Sequence, residues 1–290
     1  MLNAAEFYRS LKKIKSEKII LLRTNFYTKG SKMKRAFSVV LAIGMASGAL
    51  SAKGFDREDV SGAHSEENGV SVGIGVAFYD GMFRTKERTR TTPILGISIK
   101  YGGFYIDGME VGYNANLGEH VFATIYVQAF DGWKVKANKL KPGYQSIHNR
   151  NEQIALGGEV GVNLGDFELS AHAQGGKRGS SYGAEASYSV PISQRFSLTP
   201  AINYEVFSSK MSNYYFGIDE DELGGRIGST YKPGSASAVG VHLTALYELG
   251  EGFGVSVTAG VDRFSDEISR SPITDSRYEK ALSMAISYKF

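Results

Sequence analysis

The chain has 290 residues, with no cysteine, 35 glycines, 17 tyrosines, 16 phenylalanines and a mean hydropathy of -0.20. The absence of cysteine excludes disulfides, thiolate metal sites, a cysteine nucleophile and a lipidated N-terminal cysteine, and the glycine and aromatic content favours a sheet protein with tight turns. The net charge of +3 combines a basic segment, residues 1–52 with ten Lys and Arg against two Glu, with a remainder of net charge -5, so no nucleic-acid partner is expected.

The N-terminal region has the three parts of a secretory signal peptide. A basic start at Met33 is followed by an apolar stretch and then by small residues, which predicts a signal peptide over 33–52 with cleavage after Ala49 or Ala52. A transmembrane anchor is the alternative, but the apolar core is too short and too rich in Gly and Ser to span a bilayer. Residues 1–32 are interpreted as an extension upstream of the true start.

The segment 53–69 that follows the signal peptide is polar and is expected to lie in the periplasm. It can act as a flexible acidic tether that orders on binding a partner, although a solvated leader into the first strand is the simpler interpretation. Its acidic residues are Asp56, Glu58, Asp59, Glu66 and Glu67.

From residue 70 to the C-terminus, apolar and polar residues alternate over segments of about ten residues, which is typical of membrane-barrel strands. The pattern predicts an all-β, antiparallel transmembrane barrel over 70–290 with about twelve strands, or ten if the short piece at 103–107 fuses with a neighbour. The predicted strands are 70–79, 93–101, 103–107, 109–116, 120–130, 153–164, 167–174, 182–190, 196–207, 238–249, 252–264 and 280–290.

A soluble antiparallel sandwich would alternate in the same way, and two features argue against it. Short links such as 117–119 take turns with long ones such as 132–151 and 208–236, as the periplasmic turns and extracellular loops of outer-membrane barrels do. The chain also ends on a strand with aromatic residues. We therefore expect a protein of the Gram-negative outer membrane, with a C-terminal signal for the barrel assembly machinery formed by Ile286, Tyr288 and Phe290.

Two predicted outer loops have a distinctive composition. The loop 80–92 is basic, and its cations Arg84, Lys86, Arg88 and Arg90 suit the phosphates of lipopolysaccharide, with a solvated charged hairpin as the alternative. The loop 208–236 combines aromatic with acidic residues, and it is expected to fold back as a plug more than to bind a partner. Its notable residues are Tyr214, Tyr215, Phe216, Asp219, Glu220, Asp221 and Glu222.

Alternation also assigns a set of charged residues to the predicted lumen. An acidic, water-filled interior would favour cations, but barrels of this size are often packed by their own side chains. The predicted lumen residues are Lys100, Glu110, Glu159, Glu168, His172, Glu185, Glu205, His242, Glu248, Asp262 and Lys289.

A catalytic role has little support in the sequence. Ser170, His172 and Glu185 are the one candidate triad, but residues two apart on a strand lie nearly 7 Å apart, and a lumenal histidine paired with a carboxylate is the favoured interpretation. No nucleophile-elbow, zinc, phosphate-loop or dinucleotide motif is present in a suitable context. We expect no enzyme activity, no cofactor and no metal site.

Several short motifs carry a resemblance to a known family. They are FYIDG at 104–108 followed by Gly112 and Tyr113, NYYFGID at 213–219, YKPGSA at 231–236 and ISRSPI at 268–273. In order and spacing they resemble the MipA/OmpV family of outer-membrane proteins. The resemblance implies a non-enzymatic scaffold that links a lytic transglycosylase and a peptidoglycan synthase to the outer membrane. A passive small-solute or cation-preferring channel and a surface adhesin remain the alternatives.

Overall fold

The computed structural model describes residues 68–290. The predicted extension, the signal peptide and all but the end of the polar segment 53–69 lie outside the described residues. The strands are β1 (Gly69–Asp80), β2 (Thr89–Tyr101), β3 (Phe104–Asp107), β4 (Glu110–Asn116), β5 (Val121–Asp131), β6 (Gln153–Leu164), β7 (Phe167–Gly176), β8 (Gly179–Tyr188), β9 (Val190–Ser193), β10 (Phe196–Phe207), β11 (Ala236–Gly250), β12 (Phe253–Phe264) and β13 (Tyr278–Lys289).

The sheet closes on itself. Apart from β8 and β9, each strand pairs antiparallel with its neighbours in chain order, and β13 pairs with β1 over most of their length, from Ser71–Lys289 to Asp80–Lys280. The thirteen segments make twelve wall strands, because β8 and β9 both pair with β10 and form one wall strand with a break between them. The prediction of about twelve strands is confirmed. The alternative of ten is wrong, since the piece near 103–107 is the separate strand β3.

Alternation of side chains along each strand separates an apolar outer face from a more polar inner face. On β13, Met284 and Ile286 are 45% and 41% exposed, while Ser283 and Ala285, which alternate with them, are buried. The exposed positions continue around the wall as a belt of Val, Ile, Leu and aromatic residues. Such a belt is stable when it faces hydrocarbon, so the fold is a transmembrane barrel.

Connections differ strongly at the two ends of the barrel. One end has tight turns such as 102–103, where Gly102 and Gly103 have φ of 54° and 87°, and we assign this end to the periplasm. The other end carries four long segments, named here loop A (81–88), loop B (132–152), loop C (208–235) and loop D (265–277).

The helices are short and lie within these loops. Loop C contains α1 (Ser209–Phe216) and a 3-10 helix (Glu220–Glu222), loop B contains a 3-10 helix (Ala137–Lys139), and loop D contains α2 (Asp266–Ser269). None of the helices between residues 68 and 290 is long and apolar enough to cross a membrane.

Candidate functional site

The four long loops fold together into an apolar cluster, named here the plug. Strands β10 and β12 contribute their last inward-facing residues to it and β11 contributes its first two, so the plug sits in the extracellular mouth of the barrel. Its buried members are Met82, Phe83, Trp133, Val135, Leu140, Ile147, Phe207, Met211, Tyr215, Phe216, Ile218, Ile227, Ala236, Ala238, Phe264, Ile268 and Ile273.

Trp133, the only tryptophan of the chain, lies at the centre of the plug and is 1% exposed. Its ring meets Tyr215 and Phe216 of loop C edge-on, with centroids 5.1 and 4.9 Å away. It meets Phe207 and Phe264 of the barrel wall in the same way, at 5.4 and 6.1 Å. Each such aromatic pair adds about 0.5–1.5 kcal/mol beyond burial of the rings. Trp133 therefore joins loops B and C to the wall.

Helix α1 orients the loop C part of the plug. The Ser208 side chain accepts a hydrogen bond from the Met211 N–H and caps the first turn, and the helix ends before Gly217. Met211, Tyr215 and Phe216 project inward and are buried. The prediction that loop C folds back as a plug is confirmed.

A buried ion pair ties loop B to loop C. Arg150 Nη1 and Nη2 donate to the two carboxylate oxygens of Glu222 at 2.7 and 2.9 Å, and Nη2 also donates to the Gly217 carbonyl. The same carboxylate accepts backbone N–H bonds from His148 and Asp219 at 2.7 and 3.1 Å. Burial opposes the charge of Glu222, but the bonds from Arg150 and the two N–H groups outweigh it, so the pKa of Glu222 lies below its ordinary value.

A second ion-pair group joins loops A, B and D. Asp275 of loop D accepts from Arg84 of loop A at 3.0 Å and from Lys141 of loop B at 2.5 Å. The Lys141 ammonium holds the pKa of Asp275 below its usual range. Because these side chains are about one-third exposed or more, the group stabilises the plug only modestly.

Polar side chains below the plug are paired across strands of the inner wall. His172 Nε2 lies 2.8 Å from Glu205 Oε2, and His242 Nε2 lies 3.2 Å from Asn203 Oδ1 and 3.5 Å from Asp262 Oδ1. A Cβ at Gly183 would meet the first pair, and a Cβ at Gly240 would meet the second group, so both cross-strand contacts need glycine beneath them. Sequence periodicity gives no signal for such partners.

The structure does not bring Ser170, His172 and Glu185 together as a catalytic triad. Ser170 lies opposite Glu185 in the register of β7 and β8, while the carboxylate bonded to His172 belongs to Glu205 on β10. This supports the interpretation of His172 as a paired lumenal residue. In residues 68–290, no three His, Asp or Glu side chains group as metal ligands would.

A further network, which the sequence did not indicate, connects the plug to β5, β6 and β7. Asp131 accepts from Gln153 Nε2 at 2.8 Å and from Gln174 Nε2 at 2.6 Å, and its carbonyl accepts from the Tyr215 hydroxyl at 3.3 Å. A cavity of about 20 Å³, room for about one water, lies between this network and the plug. The cavity is lined by Asp131, Asn203, Glu205, Phe207, Met211, Ala238, Asp262 and Phe264.

The residues predicted to line the lumen all occupy inward-facing positions in the strand register. Glu159, Glu205, His242 and Asp262 are buried. Glu248 and Lys289 are exposed at the periplasmic rim. Glu110 accepts a hydrogen bond from the Tyr105 hydroxyl. The remaining predicted lumen residues, which also face inward, are Lys100, Glu168, His172 and Glu185.

The basic residues predicted to contact lipopolysaccharide divide into two groups. Arg84 bonds to the Pro272 carbonyl and to Asp275, so it holds loop A against loop D. Lys86 and Arg88 are exposed on loop A. Arg90 lies on β2 opposite the buried Tyr79, in an inward-facing position, so it does not face the lipid.

The residues of the predicted assembly signal lie on the outer face at the periplasmic end of β13. Tyr288 packs against Phe253 at 4.7 Å and Phe290 at 4.8 Å, and Ile286 is exposed beside them. Their recognition by the assembly machinery stays a prediction.

Acid should loosen the plug through Glu222. Because its pKa is lowered in the folded state, the stabilisation is complete above the ordinary value of 4.5 and is lost as the pH falls through the folded value. We expect Trp133 emission to shift to the red across that range. Glu222→Gln should show a red-shifted emission already at neutral pH, because Arg150 loses a buried partner worth about 3 kcal/mol or more.

The matched control is the exposed neighbour Glu220→Gln, which should behave as the unaltered chain. An acid transition of equal size in Glu222→Gln would contradict this role of the ion pair.

The comparisons with known proteins agree with this architecture. The family model described as MltA-interacting protein MipA matches residues 69–290. A 24 kDa outer membrane protein of Pasteurella multocida is 28% identical over 77% of this chain and 91% of its own length. The MltA-interacting protein of Escherichia coli is 30% identical over 93 residues, 32% of this chain and 38% of that protein. Among solved structures, the NanC porin aligns with a TM-score of 0.45 and 8% identity, over 76% of this chain and 100% of the porin. Because the family model covers residues 69–290, the chain belongs to the MltA-interacting protein family, and its closed barrel and its outer-membrane relatives make it a β-barrel of the outer membrane.

Proposed function

We propose that this barrel is a non-conducting, non-enzymatic scaffold of the cell envelope. The observation that carries the proposal is the plug, which places seventeen buried side chains across the extracellular mouth. A buried bidentate ion pair ties loops B and C of the plug together, and the aromatic cluster around Trp133 holds the plug to the wall. A barrel closed in this way is suited to anchoring a partner more than to passing solutes.

A periplasmic partner has to contact the periplasmic rim of the barrel. Because the described turns there are tight, we propose that the partner binds the polar segment 53–69, which the sequence predicts to lie in the periplasm. Five of its residues are acidic, which suits a basic surface on a partner. The name of the E. coli relative supports a lytic transglycosylase as that partner. We propose that this segment tethers a peptidoglycan-remodelling enzyme, and through it a peptidoglycan synthase, to the outer membrane.

The channel alternative predicts a different electrical behaviour. We expect the purified protein to give no single-channel steps in planar bilayers, because the plug packs apolar side chains across the mouth. Replacing residues 209–235 of loop C by a short Gly/Ser linker removes half of the aromatic cluster and should produce steps. Cation-preferring steps from the unaltered protein would overturn the proposal and favour a passive channel.

The tether has its own test. The detergent-solubilised full chain should retain a purified lytic transglycosylase on a column, and neutralising Asp56, Glu58, Asp59, Glu66 and Glu67 to Asn or Gln should reduce capture by about tenfold. A matched control neutralises the exposed outer-loop residues Glu87, Glu220, Asp221 and Glu267, which should leave capture unchanged. Equal capture by the two variants would show that the segment is only a leader into β1.

A further inference from the structure

The barrel wall is incomplete above the short hairpin of β3 and β4. The Gly108 N–H donates to the Ile97 carbonyl and the Ala129 N–H donates to the Met109 carbonyl, and there the hairpin ends. Strand β2 continues to Thr89, and within residues 68–290 no strand pairs with this edge of β2 beyond Ile97. We call the gap above the hairpin, between Thr91–Leu95 and the top of β5, the wall notch.

The wall notch lies in the outer half of the membrane. Leu95 pairs with Ile74, which is 62% exposed on the outer face, and Thr91 pairs with the exposed aromatic Phe78. Strand β3, by contrast, starts next to the periplasmic turn at Gly102 and has only four residues. About ten tilted residues are needed to cross the hydrocarbon, so a hairpin of this length ends partway through it.

The chemistry of the edge argues against a polypeptide occupant. The Ile97 carbonyl points towards the hairpin. Every second residue of a strand points its backbone groups to the same side, so those of Leu95, Pro93 and Thr91 point into the wall notch. Proline has no N–H to donate, and proline on an exposed edge prevents strand addition. The rim is otherwise apolar, with Leu95 51% and Met109 40% exposed. Pro93 therefore disfavours an added β-strand, and the apolar side chains of the rim favour packing of an acyl chain.

Loops A and B close the wall notch from above. Thr85 and Leu140 form an isolated antiparallel bridge, and the Lys86 N–H donates to the Lys139 carbonyl at 2.9 Å. Three lysines of this pair of loops, Lys86, Lys136 and Lys139, are exposed. The wall notch therefore has an apolar opening below and a cationic frame above it, at the level of lipid headgroups.

The net charge of the loops is positive only on this side of the mouth. Loops A and B together carry eight Lys and Arg against two Glu, while loops C and D carry five against seven acidic residues. The basic residues of loops A and B are Arg84, Lys86, Arg88, Lys134, Lys136, Lys139, Lys141 and Arg150. An anionic ligand of the outer surface is therefore attracted to loops A and B and repelled from loops C and D.

We propose that the wall notch is a binding site for the phosphorylated, acylated lipid A part of lipopolysaccharide. One acyl chain enters between β2 and β5, in contact with Leu95 and Met109. A phosphate is bound by Lys86, Lys136 and Lys139, whose ammonium groups suit it as point charges. This adds a specific lipid site to the scaffold and fixes one side of the barrel against the outer leaflet.

The headgroup contact is tested by lipid binding. Delipidated full chain in detergent is titrated with bisphosphorylated hexa-acyl lipid A and, separately, with phosphatidylglycerol, and the complexes are counted by native mass spectrometry. The double variant Lys136→Glu with Lys139→Glu should bind lipid A about tenfold more weakly. The matched variant Lys210→Glu with Lys232→Glu makes the same charge change on loop C and should bind as the unaltered chain does. Equal loss in both, no loss in either, or tighter binding of phosphatidylglycerol would overturn the proposal.

The acyl contact is tested independently of the lysines. Because the chain has no cysteine, single variants Met109→Cys and Val241→Cys can each carry one fluorophore on the outer face. In bilayers with a trace of lipid A brominated on its acyl chains, quenching at position 109 should exceed quenching at position 241 several-fold. Equal quenching at the two positions would overturn the assignment of the wall notch. Both variants must first show the heat-dependent gel mobility of a folded barrel.

Discussion

Hydrocarbon offers no hydrogen-bond partner to a peptide group, and the architecture of this protein follows from that constraint. A sheet in lipid has to close, and here the pairing of β1 with β13 removes both edges. Close approach of these strands depends on Gly75, where a Cβ would meet the backbone of Met284 and Ala285. The edge beyond Ile97 on β2 is a departure from full pairing in the wall, and Pro93 reduces its donors.

Closure places the apolar face outward, so the interior of the wall cannot supply an ordinary hydrophobic core. The plug supplies one instead, built from four loops that the strands hold at one end. Loops B and C are joined both by apolar packing around Trp133 and by the buried ion pair of Arg150 with Glu222. The plug therefore holds the apolar core that the wall lacks.

Period-two alternation was sufficient to predict the wall, since every strand has one face in lipid. The predicted strands 153–164 and 196–207 coincide with β6 and β10, but the break between β8 and β9 near Pro191 was missed because it does not change the pattern. Alternation also assigned His172 to the inner face but not its partner, because Glu205 reaches it across another strand. The plug contacts join residues far apart in the chain and have no period, so only the folding back of loop C was expected.

The barrel is closed by the pairing of its first and last strands, and a disulfide between them tests this closure directly. Ala77 and Ser283 are paired inward-facing residues on β1 and β13, and the chain contains no other cysteine that could compete. In outer membranes, Ala77→Cys with Ser283→Cys should oxidise to an intramolecular disulfide, whereas Ala77→Cys with Thr244→Cys on β11, three strands away from β1, should not. Absence of the first cross-link in membrane-inserted protein, or equal formation of both, would contradict a closed barrel.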